Sequence, residues 1–316
     1  MKYLLLIIVG ITINFMGCDS PPQQPVEELE IETIEEEEEG EDEFPPDFIP
    51  PELNLLPEGA ILPVSHFTEV WAYLVAGREF ALDINLPITD LVYFGAEVNL
   101  YGELTEIPNF RNIAHFPGRK HFVAQSNGRA LTHFVLREGS PERQALIRDL
   151  LAASRPYDGL QINFEYVPIR AGAPFLSFLR ELRAGLPEEK MFTIAIAART
   201  RTLQSDVYDY ATIAPLVDRV LVMAYDEHWS TSSPGPIASM GWCHRVATHA
   251  LNVIGPEKLI MGLPFYGRTW GSFAPNSAYI HSGIENIIRQ QGHVYIRRQR
   301  NMLLRRRIYA KMRFFA

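Results

Sequence analysis

Cysteine is scarce in this chain: Cys18 and Cys243 are the two among 316 residues. The pair supports no disulfide framework, and Cys243 reads as a half-buried free thiol near a helix start. No G-x-G-x-x-G or P-loop stands after the first strand-like run, which argues against a nucleotide-binding fold. His228, His244 and His249 are scattered and no H-E-x-x-H spacing exists, so neither a metal nor another cofactor is expected. No G-x-S-x-G elbow appears, which disfavours an acyl hydrolase. A net positive charge is lacking over the main body. The formal net charge of −9 is uneven: residues 27–43 hold twelve acids and no base, and residues 297–313 hold eight Lys and Arg and no acid. The middle is mildly acidic, so nucleic acid is not an expected partner.

What is present begins with an export signal. Lys2 supplies a positive start and residues 3–13 form an apolar run too short to span a bilayer as a mature helix. Phe15-Met16-Gly17-Cys18 follows, and it resembles a bacterial lipobox, with Cys18 as the lipidated residue; a plain cleaved signal is the alternative. Residues 1–17 are therefore read as a lipoprotein signal and 18–60 as an acidic tether, extended by self-repulsion and unable to bury a core. This implies a lipid-anchored protein of the cell envelope, facing away from the cytoplasm.

From about residue 61, strand and helix patterns alternate. Strands are expected at 67–75, 88–98, 121–126, 157–165, 191–198, 219–225 and 258–266, and helices at 140–154, 172–186, 206–217 and 241–254. Ser140-Pro141-Glu142 gives the first helix a cap and an N1 proline. The strands are continuously apolar, as in a parallel sheet covered on both faces. The expected fold class is α/β, a TIM (β/α)8-type barrel with seven recognisable strands and no visible eighth; a doubly wound open sheet is the competitor. In a barrel, chemistry sits at the C-terminal ends of the strands.

The most informative segment is 157–165. Leu160, Ile162 and Phe164 alternate with Gln161, Asn163 and Glu165, and alternate side chains of a strand point to opposite faces. Such a polar face suits either a wet edge strand or a polar cavity with an acid at its mouth. The segment resembles the fourth-strand signature of family 18 glycoside hydrolases, D-G-x-D-x-D-x-E: Asp158, Gly159 and Glu165 match, while Gln161 and Asn163 replace carboxylates by amides. Met223-Ala224-Tyr225-Asp226 matches the family's M-x-Y-D, and 262–268 (GLPFYGR) its G-x-P-x-Y-G-R, in the right order. The loop 233–238 (SPGPIA) resembles the branch related to spore-cortex glycosylases. The likeness spans about residues 65–285, within a domain placed at 61–291.

The resemblance implies a glycosidase acting on β-linked N-acetylglucosamine polymers, chitin-like or peptidoglycan, as a monomer. It implies Glu165 as proton donor, with Asn163 and Tyr225 positioning the substrate's acetamide, whose own oxygen attacks the anomeric carbon. Asp158, Gln161, Met223, Asp226, Tyr266, Arg268 and Trp270 are expected to bind substrate. With Asn163 in place of Asp, turnover should be slow, and a surface carbohydrate-binding protein with little turnover is the alternative. After Trp270 no closing strand is recognisable, and 292–316 turns abruptly basic; the reading is a truncated end, with a genuine basic tail as the alternative.

Overall fold

The computed structural model describes residues 67–99, 101–126, 135–233 and 235–269, with short strands at Leu5–Ile8, Ala278–Ile280 and Ile308–Tyr309. Met1–Ile13 and Ser65–Phe315 make one compact unit. The second, Asn14–Val64 with Ala316, lies outside the described residues, and with it Cys18 and the expected tether.

In chain order the strands are β1 (Leu5–Ile8), β2 (Val70–Val75), β3 (Asp90–Val98), β4 (Leu104–Thr105), β5 (Arg119–Ser126), β6 (Gly159–Phe164), β7 (Met191–Ala197), β8 (Arg219–Met223) and β9 (Leu259–Leu263). Four α-helices lie among the described residues: α1 (Pro141–Ala153), α2 (Gly172–Gly185), α3 (Tyr210–Ile213) and α4 (Met240–Val253). Seven strands, β2, β3 and β5 to β9, form a curled parallel sheet with helices outside it. The TIM-type architecture expected from alternation is the one found.

The seven strands recognisable in the sequence are the seven of this parallel sheet, and a further short strand pairs with two of them. β1 lies between β2 and β9, parallel to both. It falls inside the run read as an export signal. A short apolar run can satisfy the open backbone groups of two sheet edges as readily as it can serve as a signal core, and sequence pattern does not separate the two.

Local chemistry explains the helix boundaries. The Ser140 hydroxyl accepts from the Arg143 N–H at 3.2 Å, and Pro141 takes the first position of α1. The helix expected over 206–217 shrinks to α3 and a 3-10 turn at Ala214–Leu216. Asp206 is held by Arg199 through two hydrogen bonds (2.6 and 2.9 Å), and Asp209 then caps the start of α3.

The core has two layers. Leu160, Ile162 and Phe164 turn outward and pack with Phe175, Phe178, Leu179 and Leu182 of α2. Phe164 stacks on Phe178 with ring centroids 5.6 Å apart. Each such side chain, fully buried, stabilises by about 1.5–3 kcal/mol. Inside the curl, Trp71, Tyr73, Val92, Phe94, Val123, Ala195, Leu221 and Ile260 form a second cluster.

At the N-terminal ends of the strands lies a floor of paired charges. Asp90, fully buried, accepts from Arg119 at 2.7 and 2.8 Å and meets His121 Nε2 at 2.7 Å. Glu69 accepts from Arg219 at 2.6 and 3.1 Å and from the Trp71 indole at 3.0 Å, and pairs with Arg119. Trp71 stacks on His121 at 4.3 Å. Gly159 belongs to this floor: a Cβ there would sit 2.4 Å from His121 Nδ1 and 2.8 Å from the Met191 carbonyl.

Candidate active site

β6 carries the acid to the opposite end. Past Phe164, the Glu165 N–H donates to the Ser126 carbonyl of β5 at 2.8 Å, so the residue bearing the acid is still sheet-bonded. Tyr166 then takes a left-handed φ of 58°, and the chain turns away. The Tyr208 hydroxyl fixes that turn, donating to the Phe164 carbonyl at 2.7 Å and accepting from the Val167 N–H at 3.0 Å.

Burial raises the Glu165 pKa above the ordinary carboxylate value. A hydrogen bond from Asn163 pulls the other way, and the Asp226 charge adds to the rise. Asn163 is 7% exposed. Its Nδ2 lies 3.5 Å from Glu165 Oε1, and its Oδ1 is a buried acceptor without a partner among the described residues. Below it, Gln161 accepts from the Tyr73 hydroxyl and donates to Thr193 Oγ1 at 3.2 Å. Gln161 thus has both ends of its amide satisfied, whereas the buried Asn163 oxygen is unsatisfied among the described residues.

The second wall follows β8. The strand ends at Met223, which packs against the interior cluster beside Tyr225. Tyr225 and Asp226 lie beyond the strand's last residue, in a turn where Asp226 has φ 59°. The Ala224 N–H donates to the Gly262 carbonyl of β9 at 3.1 Å. A Cβ at Gly262 would meet the Val222 carbonyl at 3.0 Å and Tyr225 Cε1 at 3.2 Å, so glycine lets the Tyr225 ring lie close to β9. Burial, first, and then the charges around it raise the Tyr225 pKa well above that of a free phenol, so it stays neutral and able to donate.

Tyr266 and Arg268 lie on β10 (Tyr266–Thr269), a separate strand after Pro264, rather than at the end of β9 as expected. β10 pairs antiparallel with β11 (Ala278–Ile280) and β12 (Ile308–Tyr309); β12 lies within the stretch read as a basic tail. The Tyr266 hydroxyl donates to Asp226 Oδ1 at 2.5 Å, and Arg268 approaches the same oxygen at 3.4 Å while lying over the Tyr266 ring at 5.7 Å. Tyr266 meets Tyr225 edge to face at 6.1 Å.

Glu165, Asn163, Gln161, Met223, Tyr225, Asp226, Tyr266 and Arg268 are therefore brought to one mouth of the barrel. Asp158 is not. It sits exposed at the start of β6, where its carboxylate accepts from the Lys120 N–H at 2.8 Å. Its expected substrate contact is corrected: it lies a full strand, on the order of 20 Å, from Glu165 and ties β6 to β5. Trp270 lies outside the described residues. Tyr73 and Thr193, which brace Gln161, escaped the sequence reading. Each is one residue of a strand run, and only the sheet's register shows that it faces Gln161. No group of three or more His, Cys, Asp or Glu among the described residues could hold a metal ion. The Cys243 thiol, in the first turn of α4, is pushed up to about 11 by burial and is a poor nucleophile at neutral pH.

A carboxyl whose protonated form burial favours, beside amide and phenol groups at strand C-termini, can deliver a proton to an ether oxygen. That is the equipment of an acid-assisted hydrolase on a parallel barrel. The family model described as "Glycosyl hydrolases family 18" matches residues 118–299, more than half of the chain, and the chain belongs to that family. The cortical fragment-lytic enzyme of Bacillus anthracis is 26% identical over 205 residues, covering 59% of this chain and 47% of that enzyme. Among solved structures, the Bacillus cereus spore cortex-lytic enzyme SleL shares the fold with a TM-score of 0.61 at 23% identity, over 74% of this chain and 63% of that one. A chitinase from Bacteroides thetaiotaomicron gives 0.60 at 18% identity, over 76% and 81%. The matched parts span 29% to 47% of the lengths of four curated relatives.

Proposed function

We propose that this protein is a glycoside hydrolase that cleaves β-linked N-acetylglucosamine-containing glycans by a substrate-assisted, retaining route. Glu165 protonates the leaving glycosidic oxygen. The acetamide oxygen of the bound sugar attacks the anomeric carbon from the other side. Asn163 Oδ1 accepts from the acetamide N–H, and the Tyr225 hydroxyl holds the acetamide oxygen on line. Water then opens the cyclic intermediate, with Glu165 taking the proton back as base. Asp226, Tyr266 and Arg268 shape the adjoining sugar site.

The observation that carries this reading is the pairing of a raised Glu165 with a buried, unpartnered acceptor on Asn163. Chitotetraose is the test substrate. Hydrolysis with retained anomeric configuration by NMR, abolished in Glu165→Gln, is expected; inversion would remove the substrate-assisted route. The amides at 161 and 163 favour a second reading, a carbohydrate-binding protein with little turnover. Binding without cleavage, unchanged in Glu165→Gln, would select it. The lipobox-like 15–18 segment supports a lipid anchor at Cys18 on the outer side of a membrane; radiolabelled palmitate should be incorporated by the wild type and not by Cys18→Ala.

A further inference from the structure

Two more polar side chains face the same mouth. β3 slips register between Phe94 and Ala96, at Gly95. Before the slip Val92 and Phe94 face the interior; after it Ala96 and Val98 pack on the helix side. Glu97, between those two, therefore faces inward at the C-terminal end of its strand. On β5, Val123 faces inward and Ala124 outward, so Gln125 faces inward too. The register sets Glu97 beside Gln125, and Gln125 beside Asn163. The three form one row across neighbouring strands about 4.8 Å apart, with Glu165 two residues beyond Asn163. Glu97 and Gln125 are half-buried, and neither side chain has a hydrogen-bond partner among the described residues. Asn163, in the same row, carries the buried Oδ1 that has no partner among the described residues.

We propose that Glu97, with Gln125 beside it, contacts the glycan and sets its charge preference. This rests on the glycan-binding reading of the site and adds a substrate class to it. The row offers a carboxylate, an amide and a second amide at spacings that suit successive substituents of a sugar chain. Hydroxyl and protonated amino groups donate to a carboxylate. A carboxylate substituent, such as the lactyl group of N-acetylmuramic acid, is repelled, and in a half-buried setting the penalty is about tenfold in affinity. The preferred ligands are thus N-acetylglucosamine oligomers, fully or partly N-acetylated, over strands that alternate with muramic acid.

The test is calorimetric titration of the full chain, in a Glu165→Gln background to prevent cleavage, with three probes. These are chitotetraose, a partly de-N-acetylated chitotetraose and a muramic-acid-containing tetrasaccharide. The neutral and amino probes should bind about tenfold tighter than the acidic one. Adding Glu97→Gln, which keeps size and hydrogen-bonding capacity, should bring that ratio toward one; circular dichroism confirms folding. A ratio untouched by Glu97→Gln overturns the proposal and leaves the glycan reading standing. A chain that binds none of the probes overturns both.

Discussion

Asn163→Asp restores the carboxylate that family 18 carries at this position, and the geometry sets what it should do. Asn163 is 7% exposed, its Oδ1 has no partner among the described residues, and its Nδ2 is 3.5 Å from Glu165. An amide oxygen accepting from the substrate acetamide contributes about 1 kcal/mol, and a carboxylate about 1.5–3 kcal/mol. The carboxylate also steadies the positive charge that develops as the acetamide attacks. The difference, about 0.5–2 kcal/mol, is about 2- to 30-fold in kcat. A second effect has a definite sign. Aspartate removes the amide donor that holds the Glu165 pKa down and places a second acid beside it, so the pair shares a proton more tightly. The proton donor stays protonated to higher pH, and the alkaline limb of the rate profile moves up. The assay is chitotetraose hydrolysis followed by chromatography across about pH 4–9, on wild type and variant. A variant with unchanged or lower kcat, folded and with Glu165 intact, would refute the role assigned to Asn163.

Glu165→Gln should lower turnover by about 10²- to 10⁴-fold and yet raise the melting temperature near neutral pH. The folded carboxyl is raised by burial, so its favourable contribution exists below the unfolded pKa of about 4.3 and is lost as pH rises through the folded value. The difference between variant and wild type should vanish in acid; a gap that does not change with pH would count against a raised Glu165. Asp90→Asn strips the buried partner from Arg119 and His121 and should cost about 3–5 kcal/mol in denaturant unfolding. Burial opposes ionisation of Asp90, but its bonds from His121 and Arg119 outweigh that and hold its pKa low. The stability it supplies is present above the unfolded carboxylate range and lost as pH falls through the depressed value.

Much of the fold was legible because short continuously apolar runs and capped helical patterns alternate from residue 67 to 263. Glu165, Tyr225 and Asp226 were legible because barrel chemistry collects where strands end. Asp158 was misread because a motif joins in sequence what a strand separates in space: Asp158 and Gly159 serve the floor, through the Lys120 N–H and the close approach of His121, while Asn163 and Glu165 serve the mouth. Tyr73, Thr193, Glu97 and Gln125 reach the interior through register, which needs all the strands placed at once. The short α3 escaped because it depends on Arg199 engaging Asp206, a contact that helical periodicity over 206–217 does not encode. β1 escaped because its apolar run was already explained by another role.

The two ends of the barrel treat charge in opposite ways, and the contrast locates function. At the floor every carboxylate oxygen of Asp90 and Glu69 meets a cation, a hydroxyl or an indole N–H. Such an arrangement is stable because desolvated charge is compensated on the spot. At the mouth Glu165 has, among the described residues, one long hydrogen bond from an amide, and burial pushes it toward the neutral acid. Asn163 keeps a buried oxygen unsatisfied, which costs about 1–3 kcal/mol in the empty protein. A ligand that donates an N–H to that oxygen and accepts a proton from Glu165 removes both deficits together. The free acetamide N–H and the glycosidic oxygen of an N-acetylglucosamine unit are groups of that kind. The amide substitution weakens the charge at this site but leaves its hydrogen-bond pattern intact, which is why slower catalysis, rather than loss of recognition, is the expected consequence of Asn163.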